Sequence, residues 1–436
     1  MRRPLFNASI ALFVSLCTAA CGGGSDTSPS AGGSVAPTAL LISAMAPAQG
    51  PAGIVVTLAG VGFSTVPGEN AVTLNGMPCT VDAASATQLR VIIPPRAGSG
   101  TLHVTVSSQS ADSTTFTYQP SSVVVSTLAG SELGYFDDVG TAARFDGPTG
   151  LALDAAGFLY VGDSANNRIR LVSPTASVTT FAGSTNTAGD SDGAGLTQAR
   201  FHNPDGLAID ASGTLYVADF NNNSIRRIDS SGVVTTFVTA GASGLSGPTG
   251  LAFDKSGDLY VADKGNHRIL KITPSGAITT FAGGSPGHAD GVGAAAQFQF
   301  PNGLAFCGDG DLFVADQNNN LIRRVKPDGT VSTYAGGIGG LAFVDGPSST
   351  ARFLAPRDLA CDPQGKLFVV DTGNERIRMI TPSGIVSTLA GSTVGFADGD
   401  GAAARFSLPQ RIAIDAAGSL LISDAGNERI RKLIWQ

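Results

Sequence analysis

Six times between residue 150 and the C-terminus the chain writes one pattern: a strand ending in Asp, an Asn three residues later, then a strand carrying Ile. The Asp are Asp163, Asp219, Asp263, Asp316, Asp371 and Asp424, and the Asn are Asn166, Asn222, Asn266, Asn319, Asn374 and Asn427. Each unit opens on a Gly-Leu-Ala-like strand, at Gly150–Asp154, Gly206–Asp210, Gly250–Asp254, Gly303–Cys307, Asp358–Asp362 and Arg411–Asp415. Strands joined by hairpin-length loops make an antiparallel meander. A fourth strand follows five of the units, at Val178–Gly183, Val233–Thr239, Ala277–Gly283, Thr330–Gly336 and Ile385–Gly391. The last unit stops short, but Val123–Gly130 (VVVSTLAG) has the same pattern ahead of the first. The count therefore predicts an all-β, six-bladed β-propeller whose N-terminal strand closes the last blade, leaving no free sheet edge. Fifty-seven Gly and only 14% charged residues suit short strands and tight turns.

Leu-Tyr-Val-Ala-Asp at 259–263 and Asn-His-Arg-Ile at 266–269 carry a resemblance to the NHL repeat, which extends over 123–436. Residues 37–119 read as a separate small β-sandwich, with strand-like runs at 54–58, 71–74, 89–93, 102–106 and 114–118. Pro47, Gly50, Gly60, Gly62, Phe63, Asn75, Gly76, Pro94, Pro95, Gly100, Phe116 and Tyr118 make it similar to an IPT/TIG domain, an immunoglobulin-like module. That resemblance implies a spacer or an adhesion unit, with the structural stalk the leading reading; Cys79 and His103 read as packing residues.

Arg2 and Arg3, an apolar run to Cys17, and Thr18, Ala19 and Ala20 before Cys21 resemble a bacterial lipoprotein signal. The resemblance implies removal of residues 1–20, lipidation of Cys21 and, with Gly22 rather than Asp next, an outer-membrane location; Thr18 stands where that signal most often has Leu, which leaves ordinary secretory cleavage as the alternative. Residues 21–36, rich in Gly, Ser, Ala and Thr, read as a flexible linker. Membrane contact is then through the lipid anchor only. A net charge of −7 and a pI near 5.1 argue against nucleic acid as a partner.

The recurring polar residues have structural roles to fill. Asp and Asn shape tight hairpins, and Arg168, Arg268, Arg376 and Arg429 are expected to pair with the strand-ending Asp between neighbouring blades. His267 belongs to the same framework. The inter-blade loops share a scheme of Asp, small residues, Arg, Phe and Pro, as in Asp345, Arg352, Phe353 and Pro356, and are expected to gather on the face where the first strands begin.

The channel mouth is read from the residue after each loop Pro: Thr149, Asp205, Thr249, Asn302, Arg357 and Gln410. The next position is Gly in four blades but Asp358 and Arg411 in the last two. Asp205, Asn302, Arg357, Asp358 and Arg411, with Phe220 and Gln317 from the hairpins, are therefore the candidate ligand-binding rim. The competing reading is an Asp358–Arg411 salt bridge that merely plugs the channel.

Related propellers include amidating lyases, lactonases and virginiamycin-type lyases, a resemblance implying His or carboxylate metal sites at the channel. Here the propeller has only His202, His267 and His288, with no repeated axial set. Asp190, Asp192, Asp398 and Asp400 are the calcium candidates, although such Asp-x-Asp-Gly pairs usually cap turns. Cys307 and Cys361 are offset by one place in the repeat, so their side chains are expected on opposite sides of their sheets. The leading function is a non-catalytic binding or scaffolding lipoprotein presenting a propeller face to a protein or glycan of the envelope. The alternative is a calcium-dependent lyase or hydrolase acting at the channel mouth. Inhibiting lipoprotein signal peptidase in cells expressing the chain should leave a precursor larger by the 1–20 segment; an unchanged size would remove Cys21 as the anchor.

Overall fold

Alternation of apolar and polar residues sets the first unit. A computed structural model describes residues 39–436 except 51–52, 95–96, 119–121, 185–186, 240, 242–243, 309 and 338–342. The expected signal, Cys21 and the linker lie outside the described residues. From Leu41 to Tyr118 the chain forms eight hydrogen-bonded strands. Val56, Leu58, Val72, Leu74, Leu89, Val91, Leu102, Val104 and Phe116 point inward as one core. Cys79 packs half-buried against that core. His103 does not: it faces solvent, and its Nδ1 lies 2.8 Å from Asp112 Oδ1 across the sheet. One-residue alternation between the buried Leu102 and Val104 puts it outside.

The propeller is built as six sheets, five of them with their four main strands in sequence order. Its first strands run Pro148–Leu153, Pro204–Ile209, Pro248–Phe253, Pro301–Phe306, Pro356–Cys361 and Pro409–Ile414. The sixth sheet is completed from the N-terminal side: Val123–Ala129 pairs antiparallel with Arg429–Trp435, in register from Ile430 opposite Ala129 to Trp435 opposite Val123. Both ends of the ring thus sit in one sheet.

Each blade is fastened by a buried carboxylate. In all six, Oδ1 of the strand-ending Asp accepts a backbone N–H from the loop entering the blade, at 2.7–2.8 Å. The Asn three residues on donates its Nδ2 to the same carboxylate. In five blades a fully buried Arg (Arg170, Arg226, Arg323, Arg378 or Arg431) completes the cluster. Its Nη1 donates to the strand Asp at 2.6–2.9 Å, and Nη2 to a loop Asp (Asp137, Asp192, Asp290, Asp345 or Asp398) at 2.5–2.7 Å. Loop residues Phe145, Phe201, Phe298, Phe353 and Phe406 lie against these guanidinium groups. Burial works against charge here, pushing the Asp163 carboxyl up to about 6 although Arg170 pulls the other way.

These are not the arginines the sequence pointed to, and the pairing is within a blade, not between blades. Arg168, Arg376 and Arg429 lie two residues earlier, at the strand ends, where they stack on Tyr135, Phe343 and Phe396 at 3.7–4.0 Å. Only Arg268 reaches its Asp, through Nε at 2.7 Å, in the one blade where Leu270 replaces the buried Arg. Neighbouring blades are joined instead by the residue after each hairpin Asn, which is left-handed with φ between 50° and 58°. The side chains of Asn167, Asn223, His267, Asn320, Glu375 and Glu428 each accept the backbone N–H preceding the next blade's Pro. Glu428 to Gly147 closes this circle.

Two further expectations change. The inter-blade loops do not stay on one face: in four blades they run down the outer edge, where pairs such as Gly193–Ala194 and Gly399–Asp400 add a short fifth strand. They cover edges that would otherwise be open to pairing. Cys307 and Cys361 form a disulfide across adjacent blades, with Cα atoms 5.5 Å apart. Cys307 stands past its strand, at the start of a turn closed by Gly310 N–H to its carbonyl, so strand alternation no longer sets its direction.

Arg226→Leu, which leaves Asp219 buried without its cation, is expected to cost about 3–5 kcal/mol of unfolding free energy. Adding Ser224→Arg rebuilds the arrangement of Arg268 and Leu270, and denaturant unfolding should then show a smaller loss than the single variant.

Candidate functional site

The first strands surround the axis so closely that four of them admit no side chain at their third residue. A Cβ on Gly150, Gly206 or Gly250 would lie 1.9–2.2 Å from a carbonyl oxygen of the next blade. Blades five and six break this rule with Asp358 and Arg411. In blade five Asp358 pairs with Val370 and the register shift falls just before it, between Pro356 and Asp358, whereas in blades four and six the shift spans Pro301–Leu304 and Pro409–Ile412.

Those two side chains fill the channel together with Asp205, from across the ring. Arg411 donates Nη2 to Asp205 Oδ1 at 2.8 Å and Nε at 3.2 Å, and its Nη1 reaches Asp358 Oδ1 only at 3.4 Å. Asp358 Oδ2 also accepts the Ile412 N–H at 3.0 Å. Arg357 Nη2 lies 3.4 Å from Asp205 Oδ2. The expected Asp358–Arg411 pair is thus present but is the weaker arm of a bridge whose main acceptor is Asp205. Below this plug, Leu151, Leu207, Leu251, Leu304, Leu359 and Ile412, one from each blade, line a chamber of about 80 Å³. A chamber that small holds water, not a metabolite.

Above the plug the mouth is polar and uneven. Asn302 is fully buried and donates Nδ2 to Gln317 Oε1 at 3.0 Å. Phe220 lies against Gly247, where a Cβ would meet its ring at 2.9 Å. The structure thus brings Asp205, Arg357, Asp358 and Arg411 together, sets Asn302 and Gln317 beside them, and leaves Phe220 on the hairpin.

Lys264 was not singled out from the sequence. It occupies in blade three the hairpin position of Phe220 and Gln317, the signal that would have found it. Burial, then the nearby Arg357, push its ammonium down to about 8, with Asp205 opposing and Arg411 adding. Burial also disfavours charge on Asp205, yet Arg411 and Arg357 outweigh it and hold that carboxyl below its usual range. Burial pushes Asp358 up to about 6 against the pull of Arg411.

Two of the four calcium candidates, Asp190, Asp192, Asp398 and Asp400, are otherwise engaged. Asp192 and Asp398 hold Arg226 and Arg431 and accept from Thr236 and Thr127. Asp400 lies in the edge strand beside Val124. Among the described residues no three His, Cys, Asp or Glu side chains are grouped to hold a metal ion. His202 supplies its backbone N–H to Asp219.

An IPT/TIG domain profile matches residues 40–118, the NHL repeat profile matches 245–272 and 298–324, and that of the SMP-30/gluconolactonase/LRE-like region matches 137–248. NHL repeat-containing protein 2 of Bos taurus is 42% identical over 99 residues, 22% of this chain and 14% of that protein. Human teneurin-4 is 27% identical over 267 residues, 55% of this chain and 8% of that one. The chain thus spans a small fraction of the length of these curated relatives. A structural-genomics protein of unknown function from Bacteroides thetaiotaomicron superposes with a TM-score of 0.64 at 21% identity, covering 92% of this chain and 98% of that one. An auxiliary nutrient binding protein from Bacteroides ovatus gives 0.61 at 19%, covering 92% and 99%. At these identities the likeness is one of fold.

Arg411→Leu strands two buried carboxylates and is expected to cost about 3–5 kcal/mol. Arg357→Ala breaks one long contact of a partly exposed side chain and should cost about 1 kcal/mol or less; denaturant titration of both variants checks the ordering.

Proposed function

We propose, for a chain that joins an IPT/TIG domain to a six-bladed propeller of NHL repeats, a non-catalytic binding role in the bacterial envelope, with the channel mouth as the ligand-contacting surface. One observation carries the reading. The blade-building cluster is kept in five of six blades, and the repeat is broken where first strands meet the axis, with Asp205, Arg357, Asp358 and Arg411 in place of small or neutral residues. A scaffold needs sameness at equivalent positions; a site needs difference. The auxiliary nutrient binding proteins with the same fold favour a protein or glycan ligand over a purely structural role. In this reading Cys21 carries the lipid, the residues after it tether the chain to the outer membrane, and the IPT/TIG domain is a spacer.

The SMP-30/gluconolactonase/LRE-like match over 137–248 favours, as a second reading, a metal-dependent lyase or hydrolase at the same mouth. A stoichiometric ion surviving dialysis, lost together with turnover on chelation, is what that reading requires.

The binding role is tested by capture from solubilised native envelope with the wild-type chain and Arg357→Ala at matched stability. Wild type should retain a ligand that the variant loses at least tenfold. Equal capture by both would remove the mouth from the account.

A further inference from the structure

The mouth carries more positive than negative charge. Three cations, Lys264, Arg357 and Arg411, face two carboxylates, Asp205 and Asp358. Both carboxylates are committed to Arg411, and Asp205 also to Arg357. The Lys264 backbone carbonyl accepts the His267 N–H, but its ammonium has no hydrogen bond or ion pair among the described residues. The carboxylate that acts on this ammonium, Asp205, is already shared by Arg411 and Arg357, so the site carries one positive charge in excess.

Three neighbouring blades add a second, independent observation. Asn302 Oδ1, Arg357 Nε and Gln410 Oε1, at one tier of blades four, five and six, are buried without a hydrogen-bond partner. Asn302 is 0% and Gln410 6% exposed. The amide nitrogens of both are used, by Gln317 and by the Leu408 carbonyl, so the orphaned atoms are acceptors. Unsatisfied buried polar atoms are costly and mark places where something else supplies the partner. Two oxygens waiting for donors near a surplus positive charge ask for a ligand with hydroxyl groups and a negative charge. The long 3.4 Å contact that holds Arg357 to Asp205 lets this side chain move to admit it. The 80 Å³ chamber is too small for such a ligand, so it meets the protein above the plug.

We propose that the mouth binds a hydroxylated carboxylate, the chemistry of a sugar acid, with its carboxylate against Lys264 and Arg357 and its hydroxyls donating to Asn302 and Gln410. This rests on the binding role above and names its ligand class. The acid can be free or a residue of an acidic polysaccharide; the cationic mouth within a chain of net charge −7 makes recognition local rather than a general attraction to polyanions.

Binding falls as pH rises. Asp358, near 6, gains negative charge first, and Lys264, near 8, then loses its positive charge, while Asp205, Arg357 and Arg411 keep theirs.

Calorimetric titration of the full chain with sodium glucuronate, glucose, sodium sulfate and polygalacturonate tests the inference. Glucuronate or polygalacturonate should bind at least tenfold more tightly than glucose and sulfate, and the tighter of the two identifies the source. Lys264→Met should lose tenfold or more, Lys264→Arg should stay within threefold of wild type, and wild-type affinity should drop between pH 6 and 9. Glucose binding as tightly as the uronates overturns the charge recognition, sulfate binding as tightly overturns the hydroxyl recognition, and unchanged affinity in Lys264→Met overturns the assignment of Lys264. Envelope capture that depends on Arg357, without uronate binding, rejects this ligand class and leaves the binding role standing; loss of both rejects both.

Discussion

The guanidinium buried at the entrance to five blades is the interaction on which the propeller depends. It joins two carboxylates, one at the end of the second strand and one in the entering loop, and also donates to loop carbonyls such as those of Arg144 and Arg200. One side chain thereby fixes strand end, hairpin and loop relative to each other. The Arg and the strand Asp are fully buried while the loop Asp stays partly exposed, which makes the buried pair a demand for both members at once: a lone Asp or a lone Arg in that place is a liability. Blade three shows the same logic by exception, since it gives up the Arg, the loop Asp and the Phe together, with Leu270, a short loop and Leu245 in their places.

The sixfold pattern and its offset closure were legible because they depend only on period and count. Which arginine enters the cluster was not. Arg168 and Arg170 are two apart on one strand and so share a face, and only their depth along the strand decides which reaches Asp163 and which stacks on Tyr135. The link between blades was hidden for another reason. Asn167, His267 and Glu428 look unrelated in the sequence, yet each sets an acceptor at a left-handed residue facing the next blade's N–H. A role shared by different residue types leaves no letter to repeat. The disulfide was missed where strand alternation gives way to a turn at Cys307.

The mouth was legible in part. Comparing equivalent positions found Asp205, Arg357, Asp358 and Arg411 because a broken repeat is visible without coordinates. That Asp205 crosses the channel to hold Arg411 follows from ring geometry, which no linear spacing encodes. Lys264 belongs to the same cluster through space, from a hairpin position occupied by a different residue in every blade. The loops that first promised function serve the blades' outer edges, and the chemistry concentrates at the axis.

The central claim is that the end of the channel holding this cluster is the working end. Photocrosslinking of the full chain in its native envelope tests it directly, with the reactive group placed at Gln317 beside the mouth or at Ser256 in a turn at the opposite end of blade three. The account predicts an adduct from position 317 and none from 256. An adduct from position 256 alone, or equal yields from both, would contradict it.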